Sequence, residues 1–173
     1  MSVLENRNSE SSARWLPAGI IIGILVAIWF IGFVAPVNAG GAMQISGSGD
    51  VSGAGCDVAG MGADFALRLQ GDLVGCQYVF VESGITSPSG TYREAGTEYY
   101  VIEGGRFGAG TFWTNYVFTG KFDNASGVEI FGRCQHPIQD GSGTGAFTGV
   151  RGRLDFKDFP EINYFPYRGH MQW

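Results

Sequence analysis

Seven residues in the second half of this chain have the chemistry to handle a ligand: Tyr92, Glu94, Glu98, Arg133, His136, Arg168 and His170. Tyr92, Glu94 and Glu98 fall at i, i+2 and i+6 in the run TYREAGTEYYVI, and even spacing puts them on one face of a strand. If that face lines an interior, two carboxylates and a phenol point into it. Buried acids there keep their protons to higher pH and can donate them. If it faces solvent, Arg93, Thr97 and Tyr99 turn inward instead. Thr91, Tyr99 and Val101 make that second face only slightly more apolar, so the alternation leaves both readings open.

His136 and His170 are the two histidines of the chain. Such a pair can serve as acid and base, although a strand histidine is more often a hydrogen-bonded structural group. Arg133 and Arg168 are placed similarly, and Arg168 shares a face with His170. An arginine in a barrel usually closes one end through a carboxylate, with Glu94 and Glu98 as candidate partners. Trp113, Tyr116, Phe118, Phe131 and Tyr167 either line an apolar pocket or fill a solid core. No CxxC or HxxxH spacing occurs, so no metal site is expected. No cofactor motif occurs, and no GxSxG elbow suggests a serine hydrolase.

The elements that must position these residues read as strands. DFALRLQ alternates Phe65, Leu67 and Leu69 against Ala66 and Arg68. Gln70-Gly71-Asp72 supplies a turn, and LVGCQYVFV returns as a second strand. TFWTNYVFTGKF puts Phe112, Thr114, Tyr116 and Phe118 on one face. VEIFGRCQHPI, the Arg151 to Lys157 stretch and NYFPYRGHMQW follow, each set off by Gly-rich turns. Seven or eight strands joined by tight connections, with no helical periodicity after residue 40, mean an all-β antiparallel meander. Gly75, Gly96, Gly120, Gly132 and Gly169 each interrupt a strand pattern, the mark of bends and close approaches that a closed small barrel needs more than a flat sandwich. The run GSGTGAFTGV, Gly141 to Val150, then reads as a rim turn that packs Phe147 inward.

The chain has 173 residues, 11 Lys plus Arg and 16 Asp plus Glu. It holds no basic run, so nucleic acid is not an expected partner. Residues Trp15 to Val37 are almost wholly apolar, long enough as one helix to cross a hydrocarbon layer of about 30 Å. Two readings compete: a signal peptide cleaved near Ala39, or an uncleaved anchor over residues 15–37. Both place the rest of the chain outside the cytoplasm. In an oxidising compartment two of Cys56, Cys76 and Cys134 would pair; Cys56 to Cys76 is the first choice and Cys76 to Cys134 the alternative. The domain plan is therefore a signal or anchor over 1–39, a Gly/Ser-rich lead-in over 40–62 with one short strand near Met43 to Ser46, and a barrel over 63–173.

The segment GSGTGAFTGVRGRLDF resembles the GTGxFxGVxG stretch of allene oxide cyclase-like barrels and, more loosely, of dirigent proteins. With GRCQHPI, DFKD and YRGH, the chain looks like exported bacterial proteins carrying an allene oxide cyclase barrel-like domain. The resemblance covers about the last two-thirds of the chain. It implies an eight-stranded antiparallel barrel with an apolar cavity. In the named enzymes that cavity steers a lipid-derived or polyene intermediate through cyclisation or coupling, by shape more than by strong acids or bases. No polar cavity residue of those enzymes is carried over onto this chain. The functional expectation is a barrel that binds a small apolar ligand or has a non-catalytic role, with an isomerase or cyclase as the alternative.

Overall fold

In a computed structural model, residues 41–159, 162 and 164–173 are described. The segment read as signal peptide or anchor lies outside them. No helix among the described residues is long and apolar enough to cross a membrane.

The strands are β1 (Met43–Asp50), β2 (Phe65–Gly71), β3 (Leu73–Thr86), β4 (Thr91–Gly105), β5 (Gly110–Phe122), β6 (Glu129–Pro137), β7 (Thr144–Gly145), β8 (Arg151–Lys157) and β9 (Phe165–Gln172). Eight of them form a ring in the order β4-β3-β2-β1-β9-β8-β6-β5, closed by the β4–β5 pairing, with every pair antiparallel. The β-barrel expected from the alternation and the strand glycines is present. Closure removes the free sheet edges that would otherwise invite association. The ninth strand, β7, fills a gap. β6 pairs with β5 no further than Val117↔Gln135, while β7 pairs with the start of β5 at Gly110↔Gly145 and Thr111↔Thr144.

The lead-in of the sequence reading holds a full stave. β1 joins β9 over Met43↔Met171 to Gly49↔Phe165 and joins β2 over Gly47↔Gly71 to Asp50↔Arg68. The short strand expected near Met43 to Ser46 is longer than its composition suggests, because Gly47 and Gly49 take the inner positions after Ile45. Gly47 on that face is small for a reason: a Cβ there would lie 2.3 Å from the Tyr167 ring, which occupies the space. The remainder of the lead-in contains α1 (Val58–Met61), a single turn capped by Asp57, whose carboxylate accepts from the Gly60 N–H at 2.9 Å. Cys56 and Cys76 form a disulfide that fastens this segment to the outside of β3. There Cys56, Val58 and Ala63 pack on Ala66, Cys76 and Tyr78. Cys134 is free and buried inside the ring.

The glycine run at Gly141 to Gly149 behaves as a rim. Backbone bonds Phe147 N–H to Thr144 O (2.9 Å) and Val150 N–H to Phe147 O (3.0 Å) fold it into successive turns. Gly143 sits so close to the Phe147 carbonyl that a Cβ would be 1.8 Å away. Phe147 is fully buried, 5.1 Å from the Phe112 ring centroid, and Trp173 donates its indole N–H to the Ala146 carbonyl at 3.0 Å. β8 follows as the regular strand expected over Arg151 to Lys157.

The barrel interior has two halves. One end is solid: Leu69, Leu73, Tyr100, Phe112, Phe147, Leu154, Tyr167 and Met171 are all at most 1% exposed. Tyr100 stacks on Phe112 at 4.5 Å, and Tyr167 takes the Leu73 N–H on its hydroxyl at 2.9 Å. The other end is hollow.

Candidate functional site

Alternation on β3, β4, β5 and β6 builds one side of the hollow end, and β2, β8 and β9 add to it. β4 turns Tyr92, Glu94 and Glu98 inward, β5 turns Thr114, Tyr116 and Phe118 inward, β6 does so with Cys134 and His136, and β3 with Gln77 and Val79. Register explains why these faces agree. Glu98 lies opposite Thr114 and Glu94 opposite Phe118, and directly opposed residues in a ladder project to the same side. The apolar inner face of β5 therefore carries the carboxylates of β4 in with it. The result is a cavity of about 240 Å³ whose walls include Leu67, Val79, Phe118, Phe156 and Phe165, with Val51 and Phe65 at its mouth.

Its floor is a buried polar network centred on Glu98, which is 2% exposed. One carboxylate oxygen accepts from Gln77 Nε2 at 2.7 Å. The other accepts from Thr114 Oγ1 at 2.6 Å and Tyr100 OH at 3.2 Å, and lies 2.5 Å from His136 Nδ1. Three donors, from Gln77, Thr114 and Tyr100, thus converge on this carboxyl group, and the His136 ring completes the set. His136 Nδ1 thereby belongs to the Glu98 network, and Nε2 is its other ring nitrogen. His136 Nε2 is buried with no hydrogen-bond partner among the described residues. Burial, reinforced by Glu98, lifts the Tyr100 phenol well above its ordinary range and keeps it a donor.

A second carboxylate stands higher in the cavity. Glu94 accepts from Tyr92 OH at 2.5 Å on one oxygen and from Tyr116 OH at 2.8 Å on the other. The bond to Glu94 pushes Tyr92 up to about 12. Burial, then the Glu94 bond, raises Tyr116 further. A third carboxylate, Asp158 just past β8, lines the same space. Burial raises it, while the charge of His136 pulls the other way. Burial also pushes the Cys134 thiol up, so it is neutral and behaves as a small apolar wall residue.

Four of the seven residues singled out from the sequence thus meet in one cavity: Tyr92, Glu94, Glu98 and His136. The other three do not. Arg133, Arg168 and His170 are on the outer face, because Cys134, His136, Tyr167 and Met171 occupy the inward positions of β6 and β9. The barrel wall separates both arginines from Glu94 and Glu98, so the end-closing ion pair is not made. Arg133 and Arg168 instead line a trough on the outside, with Asp155, Lys157 and the rings of Phe131, Phe159 and Tyr164. Of the aromatic candidates, Tyr116 and Phe118 line the cavity, Tyr167 is core, and Trp113 stacks outside on Tyr99 at 4.7 Å.

Sequence reasoning missed Gln77, Cys134 and Asp158 as cavity residues and Thr114 as part of the buried network beneath. Cys134 sits two residues before His136, so the same even-spacing argument reaches it. Gln77 and Asp158 carry no such signal. No group of three or more His, Cys, Asp or Glu is placed to hold a metal among the described residues.

Fold and cavity together define a class: a closed eight-stranded antiparallel barrel, solid at one end and hollow at the other, with a buried carboxylate–histidine pair on the floor. Comparisons with family models, curated proteins and solved structures gave no match.

Proposed function

We propose that this is an exported barrel that takes a small, largely apolar molecule into its hollow end. The observation that carries the reading is the cavity itself, about 240 Å³ with apolar and aromatic walls and a few convergent polar groups. That is the usual make-up of a small-molecule site. Its volume falls just under the roughly 300–1,000 Å³ of drug-sized pockets, which favours a compact ligand. The Cys56–Cys76 disulfide supports an oxidising compartment. Export would follow from the apolar N-terminal segment, by cleavage near Ala39 or by anchoring through residues 15–37.

The test is a fluorescence titration with N-phenyl-1-naphthylamine, an apolar dye that is neutral at pH 7. The wild-type barrel is expected to bind one equivalent with saturable enhancement. V51W is expected to abolish it, because Val51 is 43% exposed at the mouth and a bulky ring there blocks access without straining the core. Equal enhancement by both proteins would refute the reading.

A second reading, isomerase or cyclase, is favoured by the Glu98–His136 pair and by the resemblance to allene oxide cyclase-like barrels. In it, Glu98 holds the imidazole, and His136 Nε2 takes a proton from one atom of the bound molecule and returns it to another, with no net change in composition. The check is to incubate the protein in D2O with whatever molecule co-purifies from its own host. Deuterium uptake at carbon, seen by mass spectrometry and lost in H136N, supports catalysis. A retained molecule without uptake leaves binding alone.

A further inference from the structure

The hollow end is one-sided in charge. Three carboxylates, Glu94, Glu98 and Asp158, line it, and none of the described residues lining it is Lys or Arg. Glu98 has His136 beside it. Glu94 is held only by the phenols of Tyr92 and Tyr116, which orient a carboxylate without neutralising it. No described residue donates a hydrogen bond to the Asp158 carboxylate, which sits partly buried at the cavity wall and is raised by that burial. Taking a carboxylate out of water without a cationic partner is costly, and a ligand that brings the cation relieves the cost.

Two further observations point the same way. The rings of Phe65, Tyr92, Tyr116, Phe118, Phe156 and Phe165 surround the space, and π faces attract cations, most strongly when both are desolvated. Independently, His136 is 2% exposed, lines the cavity and has an unpartnered Nε2. Nδ1 is committed to Glu98, so Nε2 is the ring nitrogen left to meet a polar group of a ligand. An anionic ligand would meet three carboxylates and no Lys or Arg among the described lining residues.

We propose that the cavity selects a small, largely apolar molecule carrying one positive charge: an alkyl or aralkyl amine rather than a carboxylic acid. This rests on the ligand-binding reading and narrows it. In this arrangement the ammonium sits between Glu94 and Asp158, with the rings around its hydrocarbon portion.

The experiment uses three probes of one shape, 3-phenylpropylamine, 3-phenylpropan-1-ol and 3-phenylpropanoate, each titrated at pH 7 against the barrel by calorimetry or competition with N-phenyl-1-naphthylamine. The amine is expected to bind at least about tenfold tighter than the alcohol, and the carboxylate more weakly than either. E94Q and D158N should each shrink the amine-to-alcohol ratio, weakening the amine more than the alcohol. Near-UV circular dichroism confirms that each variant is folded, and the two positions, one on β4 and one just past β8, back each other if one fails to fold. A carboxylate that binds as well as the amine, or a ratio untouched by both variants, overturns the charge selectivity while the binding reading stands. Silence from all three probes and from the naphthylamine dye overturns both.

Discussion

The two ends of the barrel are built from the same strands by the same alternation, yet they are filled differently. At the solid end, inward positions carry Tyr100, Phe112, Phe147 and Tyr167, whose rings interlock. At the hollow end the equivalent positions carry Glu94, Glu98, His136 and Tyr116, which hydrogen-bond to one another and leave about 240 Å³ between them. Side chains that satisfy polar partners across a space do not collapse into it as apolar ones do. The lesson is a division of labour: packing at one end holds the ring closed, which lets the other end keep a costly polar interior.

That comparison predicts an asymmetry in stability. F112A or F147A removes a fully buried ring and should cost about 3–5 kcal/mol in denaturant unfolding. F118A at the hollow end, where the ring already borders open space, should cost only about 1 kcal/mol. Equal losses would erase the distinction between the ends. The Cys56–Cys76 bridge, which closes a loop of sequence separation 20, should contribute about 3 kcal/mol; the paired C56S/C76S variant measures it. A loss of ligand affinity in a folded F112A would show that the ends are coupled rather than independent.

The polar floor gives a smaller effect. E98Q keeps the shape but sets an amide N–H2 against donors that had an acceptor, which should cost about 1–3 kcal/mol. Smaller still is the contribution of Asp158. Burial raises its folded value, so the folded state binds the proton more readily than the unfolded chain. Wild-type stability from this group is therefore lost as pH rises from the ordinary aspartate value of about 3.9 through the folded value. D158N should be the more stable protein at neutral pH, with the gap closing as the pH falls below the ordinary value. A gap that widens on acidification would reverse the assignment.

The solid end was the more legible of the two in the sequence. Leu69 in the β2 alternation and Phe147 in the rim turn are readable as inward without help. The hollow end was not, because its inner faces are polar. On β4 the two faces differ too little in hydrophobicity, and only the pairing of Glu98 with Thr114 decides which points in. On β6 and β9 the same weakness grouped Arg133, Arg168 and His170 with the cavity, although Cys134 and Tyr167 take the inward positions. β1 reads only as a short strand near Met43 to Ser46, because its glycines, placed to admit Tyr167 and Leu67, look like a linker's. Where function replaces apolar residues with polar or absent side chains, periodicity fades, and the strands that matter most to the site are the hardest to read.

The central claim, a solid end and a hollow end, is tested most directly by methyl NMR during titration with 3-phenylpropylamine. The methyl signals of Val51, Leu67 and Val79 should shift in a saturable way, while those of Ile45, Leu73 and Leu154 stay in place. Shifts at the second group that match those at the first, or that occur without them, would contradict the account.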